Sequence, residues 1–303
     1  MTKKAIYPFD IAIIAYMMLL SGLILIFGRP LSGYYDELLI NAAVVILVIL
    51  IVQFLNHSGN RLVLFFRILY PGLLFTLFYE QTGGLMKLIF PDFLDRQLIA
   101  FESTIFGIDP SLWLDKNFIN IWLTEILSFC YFSYYTMLPI FLLGMFLLKR
   151  YDIIKPALTA ICLTFFVSYF LFLLYPIEGP RWYLAGQYTH AIKGIIFRPL
   201  VDIAINKGAV HGGCMPSSHV AVALVMMYYT VRAYPRTAFF LVTINIGLAL
   251  GTVYGRFHYV SDVVVGAIIG TAMIYLTMKY YHRFDRTILR NENIKKEAIS
   301  YVS

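Results

Sequence analysis

Eight runs of apolar residues govern what this chain can fold into. They span about 10–28, 38–55, 62–79, 126–148, 157–175, 216–232, 236–254 and 262–280. A bilayer core about 30 Å thick takes roughly 20 residues of helix. Only helices and closed barrels satisfy every backbone group inside it. With 60% hydrophobic and 14% charged residues in 303, the expected fold is an all-α polytopic membrane protein of about eight transmembrane helices. The first run is long and leads into "FGRPLSG" rather than a small-x-small cleavage site, so it reads as a helix and not as a signal peptide. Cys130, Cys162 and Cys214 show neither metal-ligand spacing nor a disulfide framework. No internal repeat or low-complexity tract is visible, which predicts one membrane domain.

Charge gives the expected orientation. If the N-terminus is cytoplasmic and the helices alternate, the inner segments are 1–8, 56–61, 149–156, 232–236 and 279–303. They hold 14 of the 24 Lys and Arg residues, among them Lys3, Lys4, Lys149, Arg150, Arg286, Arg290, Lys295 and Lys296. The outer segments are about twice as long and hold nine, and Arg67, within the third helix, is expected to snorkel to the inner surface. This is the positive-inside bias. The net charge of +7 is therefore read as topogenic, not as a nucleic-acid surface. Both termini are expected in the cytoplasm, where the "NHS" at Asn56 also falls.

The long connections 80–125 and 176–215 and the short 255–261 then lie outside. In the first, Leu94, Leu98, Phe101 and Ile105 recur at helical spacing between charges, which predicts an amphipathic interfacial helix ended by "GIDP". The others carry "YPIEGPRWY", "GGCMPSSH" and "GTVYGRFHYVSDVVVG". Three distant segments thus bring ionisable groups to one membrane depth on one side. His258 and Asp262 are four apart, so a helix starting there sets them on one face. The carboxylate can then fix one imidazole nitrogen and leave the other as nucleophile or base. "PSSH" has the features of a helix start, with Ser217 or Ser218 as cap and free N–H groups suited to an anion. His219 in that turn can serve as acid or base. Arg181 and Arg256 supply permanent positive charge for phosphate oxygens. A carboxylate such as Asp262, leading straight into "VVVGAIIGTAMIY", is costly unless paired or functional. Together these form a phosphoryl-transfer set. With no metal cluster in the spacing, histidine rather than metal-bound water is the expected nucleophile, and neither a metal nor a cofactor is expected.

These segments resemble the signature motifs of the type-2 phosphatidic acid phosphatase superfamily, K-x6-R-P, P-S-G-H and S-R-x5-H-x3-D. "CMPSSH" resembles the second, with Ser218 in place of glycine. "HYVSD" resembles the end of the third, with His258 and Asp262 in register. The resemblance covers about residues 62–280. It implies a six-helix catalytic core over 62–282, two additional N-terminal helices in 1–61 and a basic cytoplasmic tail over 283–303. It also implies that His258 is the nucleophile, that Asp262 orients it, that His219 protonates the leaving group, and that Ser217 and Ser218 help hold the phosphate.

Two motifs depart from the pattern. Arg181 fits the first-motif arginine, but Trp182 replaces the proline and Leu174 the lysine. Gly251 and Thr252 stand where the third motif has serine and arginine. Arg256, two residues before His258, is the candidate to restore that charge. "EGPR", "TVYGRFHY" and "FCYFSYYTMLP" are similar to the subgroup that includes inositol phosphorylceramide synthases.

The reading is accordingly a lipid phosphatase acting on phosphomonoester lipids through a phosphohistidine, with its site at the outer interface. The alternative is a phospho-headgroup transferase, which would hold a lipid alcohol and slow hydrolysis. The 182–211 segment, with Tyr183, Tyr188, His190, Lys193 and Arg198, is either a lid for that purpose or a plain connection. The more distant alternative, a transporter, predicts mid-helix charges and inverted repeats, which the sequence does not carry. The partners expected are a membrane lipid phosphate and the bilayer, with no nucleic acid and an open oligomeric state.

Overall fold

The structure, a computed structural model, describes residues 6–28, 33–55 and 60–300, apart from the side chains of 282 and 284–300. Lys3, Lys4, Asn56, residues 29–32 of the "FGRPLSG" segment and the side chains of Arg286, Arg290, Lys295 and Lys296 lie outside the described residues. The helices are α1 (Pro8–Phe27), α2 (Tyr34–Phe54), α3 (Arg61–Gly84), α4 (Asp95–Phe106), α5 (Pro110–Phe118), α6 (Ile121–Leu147), α7 (Tyr151–Leu174), α8 (Pro180–Tyr183), α9 (Phe197–Gly208), α10 (Ser218–Ala233), α11 (Ala238–Tyr254) and α12 (Val260–Ser300). There is no strand among the described residues. The expected eight apolar segments appear as α1, α2, α3, α6, α7, α10, α11 and α12. Seven are long and apolar enough to cross a membrane. The exception is α10, whose 16 residues reach only about 24 Å at about 1.5 Å per residue. The chain is an all-α polytopic membrane protein. The helix α12 continues as backbone to Ser300, so helix extends into the segment read as a tail.

Helix α7 is the central element, packed against α1, α3, α10 and α12. Its Phe165, Phe166 and Tyr169 stand in the aromatic core, with Phe166 stacked on Tyr16 at 4.4 Å between ring centroids. Arg67 does not snorkel. It is 1% exposed and grips Asp10 of α1 with both terminal guanidinium nitrogens, at 3.0 and 2.5 Å, while the Tyr70 hydroxyl donates to the same carboxylate at 2.6 Å. A charge held at membrane depth is stable only when paired in this way. The pair ties α1 to α3.

Close helix contacts come from small residues at four-residue spacing, which let backbones approach. A Cβ on Gly266 would stand 2.4 Å from the Ser217 carbonyl oxygen, and one on Gly270 2.5 Å from that of Ala221. These contacts press α12 against the start of α10. Gly251, in the third-motif serine position, would likewise meet the Leu127 carbonyl at 2.7 Å. There the glycine is a packing residue between α11 and α6.

The two ends of the bundle differ. At one end Arg61 donates to the Leu147 carbonyl at 3.2 Å, joining the start of α3 to the end of α6. At the other, the starts of α10 and α12 meet through Ser217 N–H donating to the Asp262 carbonyl at 2.9 Å. Tyr254 and Thr124 join the end of α11 to the start of α6 at 2.7 Å. The expected amphipathic helix exists as α4, ended by Gly107 in the left-handed region. Phe101 and Ile105 are exposed, whereas the inward face is Asp95, Leu98 and Glu102.

Candidate active site

The chain reverses sharply after α11. The Thr252 carbonyl accepts from both Phe257 N–H at 2.8 Å and His258 N–H at 3.1 Å. Arg256 takes a φ of 67° to make this possible, a left-handed conformation uncommon for a side chain of its size. His258 therefore projects just ahead of α12. Asp262, fully buried, uses Oδ2 to accept from Tyr259 N–H at 2.8 Å and from the Cys214 thiol at 2.8 Å. The nearest acceptor for His258 Nδ1–H is the Cys214 carbonyl, at 2.9 Å, and Asp262 Oδ2 follows at 3.4 Å. The i, i+4 pairing read from spacing is present, but a main-chain oxygen shares it. Both acceptors favour the tautomer with its proton on Nδ1, which leaves the Nε2 lone pair free.

Ser217 caps α10, its hydroxyl accepting from Val220 N–H. It is wholly buried and is not among the residues lining the cavity, whereas Ser218 is. His219 follows inside the first turn. Its ring lies 4.5 Å from that of Tyr134, 5.4 Å from Tyr131 and 5.8 Å, edge-on, from His258. Its Nε2 is 3.5 Å from the Tyr131 hydroxyl, and its Nδ1 is buried without a partner.

Both histidines open into one cavity of about 700 Å³, inside the range of ligand pockets. Ser218, Arg181 and Glu178 complete its polar end. A belt of tyrosines follows, and the cavity then runs along α3 and α6 as far as Phe65. From Tyr79 to Phe65 is about 21 Å of helix, most of a bilayer core. Its flank is open to the lipid side: Leu73 is 73% exposed, Phe66 48% and Leu143 46%. Arg181 donates to the Asn206 side chain of α9 at 2.5 Å and packs on the Trp182 ring.

Arg256 does not reach this cavity. Its guanidinium donates to Asp115 at 2.5 Å and to the His190 carbonyl at 2.6 Å, and it lies 3.8 Å from the Tyr188 ring centroid. The structure thus brings His219, His258, Ser218 and Arg181 together, with Asp262 and Ser217 directly behind, and holds Arg256 apart.

Sequence reading missed a set of carboxylates in the 95–125 segment. Asp95, buried at the start of α4, accepts from Glu178 N–H (2.7 Å), Gly179 N–H (2.9 Å) and the Tyr259 hydroxyl (3.0 Å). It fastens the Arg181 loop to the residue after His258. Burial and this carboxylate together push the Tyr259 phenol well up. Glu102 accepts from Ser261 N–H, and burial raises its carboxyl. Asp115 accepts from Thr189 N–H and hydroxyl, from His190 N–H and from Arg256. Burial alone would push that carboxyl up, but these donors outweigh it and leave it below the usual range. Four carboxylate oxygen contacts from Glu125 receive the N–H groups of Ile195 to Arg198 at the start of α9. The 182–211 segment is therefore fastened at several points and carries a helix of its own. No motif announces these carboxylates. The one available signal was that charges alternate with apolar residues on a helix expected to lie in an interface.

The profile described as the PAP2 superfamily matches residues 96–276, more than half the chain. The chain belongs to the PAP2 superfamily. All the candidate site residues fall inside the matched region, while α1, α2 and α3 lie before it. This PAP2-superfamily chain is 27% identical over 184 residues to a PA-phosphatase related-family protein of Dictyostelium discoideum, covering 53% of the chain and 32% of that protein. The chain thus spans about a third of the length of that curated relative. No solved structure gives a significant match.

Proposed function

We propose that the chain is an integral membrane lipid phosphatase that transfers the phosphoryl group of a phosphomonoester lipid to His258 and then to water. One observation carries this reading. The cavity has both histidines, Ser218 and Arg181 at one end, and an apolar channel with an open flank along α3 and α6 at the other. A headgroup phosphate fits the first and acyl chains fit the second, entering sideways from the bilayer.

In the first step His258 Nε2 attacks phosphorus while the lipid oxygen leaves. Asp262 and the Cys214 carbonyl hold Nδ1–H, so positive charge forming on the ring is stabilised. His219 gives its proton to the leaving oxygen. Arg181 and the Ser218 end of α10 stabilise the equatorial oxygens. Water then attacks the phosphohistidine, and His219 accepts its proton. Arg256 is assigned the role of holding the Asp115 and His190 loop rather than binding phosphate. The site is read as lying on the outer face, with both termini cytoplasmic, on the charge bias of the loops.

The test is phosphate release from phosphatidic acid in detergent micelles with EDTA present, wild type beside His258→Ala and Asp262→Asn. Release that is lost in both variants, with helix content unchanged, is the expected result. Full activity in either variant overturns the roles assigned. Folded wild type that releases nothing from phosphatidic acid but transfers a phospho-headgroup from a phospholipid to a lipid alcohol would replace hydrolysis by the transferase reading.

A further inference from the structure

Behind the face of His258 that meets the cavity, three side chains converge that the sequence spacing kept apart. Cys214 Sγ, His258 Nδ1 and Asp262 Oδ2 are all buried and lie within 4.8 Å of one another. The separations are 2.8 Å for sulfur to carboxylate, 3.4 Å for nitrogen to carboxylate and 3.5 Å for sulfur to nitrogen. Tetrahedral zinc, with bonds of about 2.3 Å to sulfur and about 2.0–2.1 Å to nitrogen and oxygen, sets ligand edges of roughly 3.3–3.6 Å. Two of the three edges already have that length, and the third must open by under about 1 Å.

Two further observations point to a ligand here. Asp262 Oδ1 is buried and has no hydrogen-bond partner. The Cys214 carbonyl oxygen, 2.9 Å from Nδ1, is a further oxygen donor beside the cluster, and that edge must also open for it to serve as a fourth ligand. Cys214 and His258 also line the cavity, which supplies a way in.

We propose that Cys214, His258 and Asp262 form an inhibitory site for a thiophilic divalent cation, zinc above all. The inhibitory part rests on the reading of His258 as nucleophile. The Cys214 thiol donates its proton to Asp262 Oδ2, so the metal enters by displacing that proton to solvent. The imidazole stays neutral, and its proton moves from Nδ1 to Nε2 as Nδ1 binds the metal. One dication, one thiolate and one carboxylate sum to zero charge, which a buried site tolerates far better than an unpaired ion. With Nε2 protonated, His258 has no lone pair to attack phosphorus. The chemistry makes zinc a reversible off-switch set in the same side chains that orient the nucleophile.

The experiment has two readouts on the full chain in detergent. The first needs no activity: cobalt(II) is titrated and the thiolate-to-cobalt charge-transfer absorption followed, with zinc as competitor. One metal per chain, with a band present in a Cys130→Ala, Cys162→Ala variant and absent in Cys214→Ser, is the expected result. Absence of the band from folded wild type, or its survival in Cys214→Ser, overturns the site. The second is zinc inhibition of phosphate release, each variant read against its own metal-free rate. Zinc should inhibit reversibly by EDTA, and Cys214→Ser should raise the half-inhibiting concentration about 100-fold, since even outer partners of a metal ligand are worth about 10–100-fold. Metal binding without inhibition would retain the site and overturn its link to the nucleophile. A wild type inactive on every lipid phosphate would fail the phosphatase reading while the cobalt spectrum still decides the site.

Discussion

Replacing Asp95 by alanine should separate two halves of the site that no covalent neighbour holds together. The carboxylate accepts three hydrogen bonds, from Glu178 N–H, Gly179 N–H and the Tyr259 hydroxyl, and its residue is fully buried. Alanine leaves all three donors without a partner. Each unsatisfied buried donor costs about 1–3 kcal/mol, so the local loss is roughly 3–9 kcal/mol before relaxation. Water entering beside α4 will recover part of it. Gly179 lies two residues before Arg181, and Tyr259 follows His258. The predicted consequence is therefore displacement of the guanidinium relative to the His258 ring. A misplacement of about 1 Å is worth on the order of 100-fold in rate. The assay is kcat/KM for lipid phosphate hydrolysis, read beside thermal unfolding in the same detergent. Asp95→Asn keeps the shape and two acceptor lone pairs, and should fall between wild type and alanine in both. An alanine variant with wild-type kcat/KM and wild-type Tm would refute the bracing role.

Four other outcomes follow from the same geometry. Thr76→Trp, on the lining of the channel, should raise KM for long-chain lipid phosphates far more than for a short-chain one; equal effects on both would count against the channel. Gly266→Leu forces side-chain atoms into the Ser217 carbonyl, 2.4 Å from the Cβ position. It should abolish turnover while the chain still inserts in membranes, and an active variant would show that α10 and α12 need not touch. Arg67→Met leaves the Asp10 charge buried and unpaired, for a loss of about 3–5 kcal/mol, whereas the double change with Asp10→Leu should recover much of it in a thermal unfolding cycle. Asp115 has a lowered folded-state pKa, so its stabilisation is complete above the unfolded carboxyl value of about 4 and is lost only as pH falls through the lower folded value. Hydrogen exchange of the 189–190 amides should stay slow at pH 5 in wild type and be fast at pH 5 and pH 7 alike in Asp115→Asn; equal protection in the two proteins would remove Asp115 as the anchor.

What the sequence determined by itself was whatever depends on local pattern. Eight apolar runs set the membrane class because bilayer thickness fixes helix length and the backbone has no other way to satisfy itself in lipid. "PSSH" gave the capped start of α10, and the four-residue step from His258 to Asp262 gave their shared place at the start of α12. Both are properties of a few consecutive residues, as is the run that became α4. The structure alone decided what depends on contacts between distant segments. Arg67 was read as snorkelling because nothing in its own helix reveals Asp10, 57 residues away. Arg256 was read as a phosphate ligand because charge is visible in a sequence, but its direction depends on Asp115, 141 residues earlier. Ser217 and Ser218 were not distinguishable until the turn of the helix set one against α12 and the other toward the cavity. The carboxylates of 95–125 carry no motif that marks them. They face inward because loops crossing the end of a membrane bundle carry many backbone N–H groups, and buried acceptors must be found for them. Cys214 beside His258 and Asp262 is likewise a product of packing: Gly266 and Gly270 bring α12 against α10 closely enough for the loop ahead of α10 to touch both.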